Sequence, residues 1–399
     1  MISYSDALKN IEDLNLPSRK GLVSLEQAYG LSLAKTCIAS RDFPPFDRVT
    51  MDGYAVSSNV FNNLKEKKLR KTGTLLAGDE PKNYPVNECL HIMTGASLPE
   101  EYDAVIAVER TEEKDGFIFF HEDSVKPGNN IASKGEDHKK GSILLEEETV
   151  IRQGELGILA SNGQKEVEVY LPPKTALITT GNEVKDPGEE IKPPEIYNAN
   201  RYILYALLQE FKIDPEILHL RDDVQAIEKV SSLDANLFIF TGGVSMGVAD
   251  FIHSTLPKLG VETVFHKVAI KPGKPVYLGI SQDKKVFLGL PGNPLSAQTA
   301  FLLFGYPILR KIMRLNEIAS FSMPIENEIS HKKSKTVQIP REEFWPCRIN
   351  KNSKLEKLPI NGSGDIRTSA FSHGLAHIPA GEKSLPAGTF VLFYPWRRL

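Results

Sequence analysis

The spacing of apolar residues changes along the chain at the proline pair Pro172-Pro173. Before this pair, one N-terminal stretch shows helical spacing, and short apolar runs separated by turn residues follow it. After the pair, apolar runs alternate with segments in which apolar residues recur every three or four positions. That alternation is typical of βαβ units with a parallel sheet. We therefore predict an α/β multidomain protein whose doubly wound, mostly parallel domain follows the prolines.

The stretch before the prolines predicts two helices and a small β domain. One helix is predicted over residues 4–14, with Ser5 or Asp6 as its N-cap, and a second over Leu25–Ala34. The short strands predicted next are Thr72–Leu76, Cys89–Met93, Ala104–Val108 and Phe117–His121. Short strands separated by turns indicate a small, mostly β domain.

The stretch after the prolines predicts a doubly wound sheet and then a β domain. The predicted strands of the sheet are Thr175–Thr179, Ile217–Leu220, Leu237–Phe240 and Val286–Leu290. The helices predicted beside them are Asn200–Phe211, Val224–Leu233 and Leu295–Met313. The C-terminal strands are predicted at Thr336–Ile339, Phe344–Ile349 and Phe390–Phe393. A ligand site of such a parallel sheet is expected beyond the carboxyl ends of its strands.

Composition and charge narrow the class of protein. The 399 residues are 41% hydrophobic and 25% charged, which is typical of a soluble globular protein. A net charge of −3 gives no overall field that would favour nucleic acid or an anionic membrane. No long apolar run or signal-peptide pattern is present, and the three cysteines form no CxxC pair. We therefore predict a cytoplasmic protein that binds neither nucleic acid nor membrane.

Glycines follow the apolar run Asn236–Phe240. The stretch Thr241–Asp250 contains Gly242, Gly243 and Gly247, where backbone can approach an anion that a Cβ would obstruct. The helix predicted next would add a favourable dipole to this anion site. An ordinary βα turn is the alternative interpretation of the Gly-Gly pair.

Carboxylates follow three of the predicted strands of the same sheet, at Glu183, Asp222 and Asp250. Carboxylates close to phosphates repel them unless a hard cation lies between the two groups. We therefore predict that these three acids bind Mg²⁺ beside a nucleotide-like or pyrophosphate ligand. No G-x-x-x-x-G-K-[ST] motif and no strand-following G-x-G-x-x-G motif is present, which disfavours ordinary P-loop or Rossmann cofactor use.

Cationic side chains and backbone amide groups are predicted near the same edge of the parallel sheet, where its strands end. If Phe265–Pro275 begins as a strand, Lys267 and Lys271 project from one face, although a solvated edge is the alternative. Pro291–Pro294 begins a helix whose first N–H groups form another predicted anion site.

Three further polar residues are ambiguous from spacing alone. Asp52 precedes Gly53 in a sequence typical of a turn, and Thr94 follows a predicted strand where its hydroxyl could stabilise a turn or bind phosphate. Asp137 lies in a polar segment typical of a solvated loop.

Seven motifs in a fixed order nevertheless make the chain resemble the molybdopterin molybdenumtransferases, a family that includes the MoeA proteins and the E domain of gephyrin. The motifs are Pro45-Phe46-x-x-Val49-Thr50-Met51-Asp52-Gly53-Tyr54-Ala55, Met93-Thr94-Gly95-Ala96, Lys134-Gly135-Glu136-Asp137, Thr180-Gly181-Asn182-Glu183, Thr241-Gly242-Gly243-Val244-Ser245-x-Gly247-x-x-Asp250, Lys271-Pro272-Gly273-Lys274-Pro275 and Leu290-Pro291-Gly292-Asn293-Pro294. They span nearly the whole chain, so together they are far more specific than any one of them.

The resemblance implies a four-domain homodimer that inserts molybdate into the dithiolene of adenylylated molybdopterin and releases AMP with the help of Mg²⁺. The implied domains are an elongated N-terminal dimerisation domain at 1–46 and 139–172, a small mostly β domain at 47–138, a MogA-like, molybdopterin-binding α/β domain at 173–317 and a C-terminal β domain at 318–399. A molybdopterin adenylyltransferase and molybdoenzyme maturation factors are the partners expected.

The resemblance also assigns roles to individual residues. The catalytic positions are Asp52, Thr94, Glu183, Asp250, Lys267 and Lys271. The predicted binding positions are Asp137, Asp222, Thr241, Gly242, Gly243, Ser245, Gly247, Lys274, Pro291, Gly292, Asn293 and Ser363. The chain departs from the family pattern at Asn182 and Asn198, where the family often has Asp, and at Pro346, where it has a second arginine.

Two other functions fit the same fold. A non-catalytic scaffold would present the surface to a partner, but it would have no need for the acids and lysines. A molybdopterin adenylyltransferase would share the glycine loop and consume ATP, but the additional N-terminal and C-terminal domains disfavour it.

Overall fold

The computed structural model describes residues 1–220, 230, 233–242, 252–316, 320–330, 341–381 and 384–396. Contacts divide the chain into two compact units. The smaller unit contains Lys35–Glu147 and Gln153–Lys165, and the larger contains Met1–Ala34, Glu148–Arg152 and Glu166–Leu399. The finer division into four domains stays a prediction. Within the described part of the chain, every helix is too short or too polar to cross a membrane.

The smaller unit is built around a mixed six-stranded sheet, as the short apolar runs predicted. In sheet order its strands are Ala104–Ala107, Gly53–Val56, Cys89–Ile92, Lys68–Leu75, Phe117–Phe120 and Thr111–Lys114. Two further pairs join Ile131–Ala132 to Arg48–Val49 and Ile143–Leu145 to Cys37–Ile38. Its helices are Ser58–Asn62, Gln153–Ser161 and the 3₁₀ turn Val108–Arg110. The sheet has core residues on both faces, since Tyr54 and Ile118 belong to one buried cluster and Ala55, Leu90 and Val105 belong to another.

The N-terminal part of the larger unit corrects two predictions. The first helix, Tyr4–Asp13, is capped by Ser3, whose Oγ accepts the Asp6 N–H at 3.0 Å, rather than by Ser5 or Asp6. The predicted helix Leu25–Ala34 is wrong beyond Ala28, because Gly30 takes a φ of 78° and ends it.

The strands on either side of that short helix belong to a three-stranded sheet. Its order is Arg19–Ser24, Glu166–Leu171 and Ser32–Leu33. The pairing of residues near 20 and 30 with residues near 170 brings together two stretches that are far apart in the sequence.

The larger unit contains the predicted doubly wound sheet. In sheet order its six strands are Glu216–Leu220, Thr175–Thr180, Leu237–Thr241, Val286–Leu290, Tyr277–Ile280 and Glu262–His266. The first four strands are parallel to one another, and Tyr277–Ile280 runs antiparallel to both of its neighbours, Val286–Leu290 and Glu262–His266. Every residue of the three central strands is buried, so their uninterrupted apolar runs reflect a sheet covered on both faces.

Helices lie on both sides of this sheet, as a doubly wound fold requires. They are Ala199–Gln209, Ile252–Thr255, the 3₁₀ turn Leu256–Leu259, and the continuous segment Pro294–Ala300, Phe301–Gly305 and Tyr306–Ile312, whose middle part is π-helical. The stacked rings of Phe238 and Phe287, with centroids 4.7 Å apart, lie in the core on the face of the sheet that Ile252 and Leu256 cover. The predicted helix Val224–Leu233 lies largely outside the described residues.

A second sheet forms the C-terminal part of the larger unit. In order its strands are Ile270–Lys271, Glu342–Ile349, Gly374–Ile378, Phe390–Pro395 and Phe321–Pro324, and Leu355–Lys357 pairs with Glu342–Ile349. Smaller elements are the pairs Ile329–Ser330 with Ser384–Leu385 and Val184–Lys185 with Ile196–Tyr197, and the helix Ile366–Phe371. The predicted strand Thr336–Ile339 lies outside the described residues. The short strand Ile270–Lys271 brings the lysine motif to the edge of this sheet.

Candidate active site

A cavity of about 1420 Å³ lies beyond the carboxyl ends of the central parallel strands, where the sequence placed a ligand site. Loops after three strands line it: Thr180–Glu183 after the first, Thr241 and Gly242 after the second, and Pro291–Pro294 after the third. The segment Lys271–Pro275 and residues of the C-terminal sheet complete the lining. All of these residues belong to the larger unit.

The backbone at Gly242 passes very close to the neighbouring loop. Its φ is 94°, and a Cβ placed there would lie 2.6 Å from Thr180 Oγ1 and 3.0 Å from Thr180 O. A Cβ on Gly292 would lie 3.7 Å from the Gly242 Cα. The side chain of Thr180 is 6% exposed, and its Oγ1 has no hydrogen-bond partner among the described residues. Glycine at position 242 therefore allows the two loops to meet at the wall of the cavity.

Asn200 holds the loops in this arrangement. Its Nδ2 donates to Thr241 Oγ1 at 2.8 Å and to Gly292 O at 2.7 Å, and Thr241 Oγ1 donates to Pro291 O at 3.1 Å. Its Oδ1 is buried and lacks a partner among the described residues. Asn200 was predicted only as the first residue of a helix, and no sequence signal indicated its contacts with the two loops. The N-cap of that helix is Asn198, whose Oδ1 accepts the Arg201 N–H at 3.2 Å.

We expect Gly242→Ala to impair both folding and activity, because the new Cβ would meet Thr180 at a φ that L residues rarely adopt. The matched control is Gly188→Ala, which has a φ of 99° but no atom within 4 Å of its Cβ. The control should lose about 1–2 kcal/mol of unfolding free energy from backbone strain alone. Denaturant unfolding gives the loss of unfolding free energy in each variant, and the difference between the two losses is the cost of the steric clash at position 242. Equal losses would contradict the close approach.

Glu183 lies at the rim of the cavity and its side chain is exposed. A short pair of strands fixes the loop that carries it, because Ile196 N donates to Glu183 O at 2.9 Å. The neighbouring Gly181 has a φ of 131°. Of the three predicted metal ligands, Glu183 is the one within the described residues.

The two lysines of the Lys271–Pro275 motif line the cavity. Lys271 Nζ lies 3.2 Å from Glu343 Oε1, and its side chain is 59% exposed, whereas Glu343 is 17% exposed. Lys274 is exposed and lines the same cavity. Glu343 was not predicted, since nothing in a strand of the C-terminal domain indicates a partner 72 residues earlier.

The prediction that Lys267 and Lys271 project from one face of a single strand is wrong. The strand ends at His266, Lys267 takes a φ of 67°, and a new short strand begins at Ile270. The backbone there pairs with the N-terminus instead, because Ile2 N donates to Lys267 O at 3.1 Å and Ala269 N donates to Ile2 O at 2.8 Å. A catalytic role for Lys267 stays a prediction.

The loop at Pro291–Pro294 and the C-terminal domain meet at the cavity. Asn293 Nδ2 donates to Ser363 Oγ at 2.9 Å, and Pro294 occupies the first turn of its helix as predicted. Both polar residues line the cavity, together with Pro291 and Gly292. Asn293 and Ser363 thus add an amide and a hydroxyl to a lining that also carries the ammonium groups of Lys271 and Lys274.

Asp52 and Thr94 form a hydrogen-bonded pair in the smaller unit. Asp52 Oδ1 accepts both the Thr94 backbone N–H and the Thr94 hydroxyl, each at 2.7 Å. These bonds, the backbone one first, hold the pKa of Asp52 below its usual value. Because the folded-state pKa is the lower one, the stabilisation is present above the unfolded pKa and is lost as the pH falls through the folded pKa. The carboxylate is thus fixed and charged while exposed to solvent.

Asp137 lies in the same unit as that pair. Its side chain is exposed, and its backbone N–H donates to Phe43 O at 3.0 Å. The loop before it turns at Gly135, where φ is 74°. A binding role for Asp137 stays a prediction.

Five predicted site residues lie outside the described residues: Asp222, Gly243, Ser245, Gly247 and Asp250. Within the described ranges, no three His, Cys, Asp or Glu side chains are grouped so that they could bind a metal ion. Oxygen donors of the kind that Mg²⁺ prefers are nevertheless present around the cavity. They are the Glu183 carboxylate and the two buried, unpaired atoms Thr180 Oγ1 and Asn200 Oδ1.

Comparisons with known proteins extend over the whole chain. Three family models match in succession: the MoeA N-terminal region (domain I and II) over residues 2–163, a "probable molybdopterin binding domain" over 176–311, and the MoeA C-terminal region (domain IV) over 335–396. The molybdopterin molybdenumtransferase of Haemophilus influenzae is 37% identical over 407 residues, covering 98% of this chain and 97% of that protein. The enzyme of the same name from Synechocystis is 30% identical over 385 residues, covering 94% of both chains.

Solved structures agree with these matches. A crystal structure of a molybdopterin biosynthesis MoeA protein from Pyrococcus horikoshii has a TM-score of 0.81 at 30% identity and covers 100% of both chains. A second one has a TM-score of 0.82 at 26% identity and covers 99% of this chain and 100% of that one.

Proposed function

This chain belongs to the MoeA family of molybdopterin molybdenumtransferases, and we propose that it inserts molybdate into the dithiolene of adenylylated molybdopterin with Mg²⁺-dependent release of AMP. Family membership makes it a transferase of molybdenum cofactor biosynthesis. The observation that carries the finer proposal is the cavity, in which glycine backbone, lysines and a carboxylate converge at the carboxyl edge of a parallel sheet.

The size and the lining of the cavity suit a large anionic substrate. Its volume of about 1420 Å³ exceeds the roughly 300–1,000 Å³ of ordinary small-molecule sites, so it has room for a pterin joined to a nucleotide. The described lining carries four cationic side chains and two carboxylates, although the whole chain has a net charge of −3. The cationic residues are Lys271, Lys274, Arg341 and Lys357. A local positive excess on an acidic chain supports binding of phosphates and molybdate.

The chain's own groups divide the work between binding and charge stabilisation. Gly242 and Gly292 line the cavity without side chains, so their backbone can contact a phosphate directly. Lys271 and Lys274 offset negative charge on the phosphoanhydride and on the incoming oxyanion. Asn293 and Ser363, joined by their hydrogen bond, orient the substrate from the other wall. AMP leaves when water attacks the phosphoanhydride that joins the pterin phosphate to the adenylate, so that one phosphate stays on the pterin and the other departs in AMP.

Mg²⁺ would be held by Glu183, with Asp222 and Asp250 as its further proposed ligands. The unpaired oxygens of Thr180 and Asn200 support an oxygen-rich site at this wall. When bound, the cation would neutralise charge on the phosphoanhydride and its leaving group.

We also propose a homodimer that works in the cytoplasm and exchanges substrate with an adenylyltransferase and with molybdoenzyme maturation factors. The described cysteines, Cys37, Cys89 and Cys347, are all buried and unpaired, which suits a reducing compartment. Asp52, Thr94 and Asp137 are proposed to contribute to catalysis or binding in the dimer.

The test of this function incubates the purified chain with adenylylated molybdopterin and Mg²⁺, with and without molybdate, and follows AMP. We expect AMP to appear only when molybdate is present. AMP release that is absent, or that is independent of molybdate, would refute the insertion reaction. ATP consumption in the same assay with unadenylylated molybdopterin would instead identify an adenylyltransferase.

A further inference from the structure

Lys357 lines the same cavity but belongs to none of the family motifs in the sequence. It ends the strand Leu355–Lys357, which pairs antiparallel with Glu342–Ile349 and places it opposite Cys347. Its Nζ lies 3.0 Å from the centroid of the Trp345 ring, a short cation–π contact. The C-terminal sheet therefore presents a cation to the cavity on a fixed aromatic surface.

Glu343 connects this lysine to the lysine motif. Its Oε1 lies 3.2 Å from Lys271 Nζ, and its Oε2 accepts the indole N–H of Trp345 at 2.7 Å. One carboxylate thus fixes the first cation and the ring on which the second cation lies. Trp345 is 6% exposed and Glu343 is 17% exposed, so both supports are packed.

We propose that Lys357 is a further oxyanion-binding cation of this cavity and that it binds, together with Lys271, one tetrahedral oxyanion of the reaction. This inference rests on the proposed function and adds a residue to it. Lys357 would also supply positive charge in a domain where Pro346 replaces the family's second arginine. The oxyanion is either molybdate or a phosphate of the adenylylated substrate.

The electrostatics of Lys357 agree with this role. Desolvation is the main cause that lowers its pKa, Glu343 and Cys347 oppose the shift, and the nearby charge of Lys271 lowers the pKa further. Two ammonium groups that repel each other both gain from an anion placed between them. Glu343 offsets part of this repulsion, and a bound anion would offset more of it.

The test measures binding of molybdate and, separately, of AMP by isothermal titration to the full chain. Lys357→Met keeps the length of the side chain but removes its charge, and Lys357→Arg keeps the charge over the indole. Lys354→Met is the matched control, because Lys354 lies three residues earlier, pairs with Glu326 at 3.5 Å and is not part of the cavity lining. Thermal unfolding confirms that each variant is folded.

We expect Lys357→Met to raise the Kd for one of the two anions at least about tenfold, because the variant loses one charge-assisted hydrogen bond to that anion. Lys357→Arg should stay within about threefold of the wild type for that anion, because a guanidinium also stacks on Trp. Weaker molybdate binding identifies molybdate as the oxyanion, and weaker AMP binding identifies the substrate phosphate.

Unchanged affinity of Lys357→Met for both anions would overturn the inference, and so would an Arg variant as weak as the Met variant. A wild-type chain that binds neither anion would overturn it as well. The AMP-release assay separates this failure from failure of the proposed function: wild-type turnover that depends on molybdate, with unaltered binding in Lys357→Met, rejects the role of Lys357 alone.

Discussion

Glu183→Gln is expected to lower the rate of molybdate-dependent AMP release at least about 10²-fold. The substitution keeps the size of the side chain and its capacity for hydrogen bonds, but it removes the negative charge from the rim of the cavity. If Glu183 binds the catalytic cation, a higher Mg²⁺ concentration should recover part of the rate, whereas a higher molybdate concentration should not. Initial rates measured against each concentration separate a metal-binding role from an oxyanion-binding one.

Glu190→Gln is the matched control for this experiment. Glu190 is an exposed acid seven residues later in the same loop region, and it is not part of the cavity lining. Its variant should keep the wild-type rate, and both variants should keep the wild-type melting temperature, because exposed acids contribute little to stability. If Glu183→Gln releases AMP at a rate within about twofold of the wild type at limiting Mg²⁺, Glu183 does not take part in catalysis.

Asp52→Asn is expected to reduce the rate by about 10²-fold or more, with only a small drop in melting temperature, because the amide oxygen can still accept hydrogen bonds from Thr94. Asp52 Oδ1 accepts the Thr94 N–H and hydroxyl, each at 2.7 Å, so the charge is held in place although the side chain is exposed. Because those bonds lower the pKa of Asp52, the acid limb of the pH–rate profile should lie below the value of about 3.9 for a free aspartate. Thr94→Val, which removes the hydroxyl, should move that limb to higher pH.

Asp42→Asn controls for the loss of a carboxylate that accepts a backbone N–H. Asp42 Oδ1 accepts the Lys140 N–H at 2.8 Å in the same unit, and no family motif contains it. The control should keep the rate of the wild type. An equal loss of rate in the two asparagine variants would assign Asp52 a structural role.

The doubly wound sheet could be predicted because its signal is local. The three central strands are buried on both faces, so each one reads as an uninterrupted apolar run, and the polar loops at their ends follow directly. Gly242 and the Pro291–Pro294 loop were found this way, and both line the cavity. The family motifs added Asp52 and Thr94, whose pairing no spacing rule could have shown.

The errors arose where distant backbone decides the local structure. Ser32–Leu33 is a strand because it pairs with Glu166–Leu171, and the segment at Lys267 bends because it pairs with Ile2. Neither partner lies within the window that a periodicity argument uses. The glycine at position 30 could have ended the predicted helix, since a glycine after the last helical position is a common stop signal.

Three of the residues that were missed share one cause. Glu343 contacts Lys271, which lies 72 positions earlier, Trp345 contacts Glu343, and Lys357 lies over the Trp345 ring. The two strands that carry these residues contain no glycine motif and no catalytic signature. Side chains that act through such long-range contacts become visible only after the sheet that joins them is known.

The backbone just before the lysine motif is held by two segments that are far apart in the sequence. Ile2 exchanges two backbone hydrogen bonds with Lys267 and Ala269, and Glu342 N donates to Ala269 O at 2.9 Å. Contacts of such high sequence separation carry a large loop-closure cost, so we expect this part of the cavity wall to form late in folding.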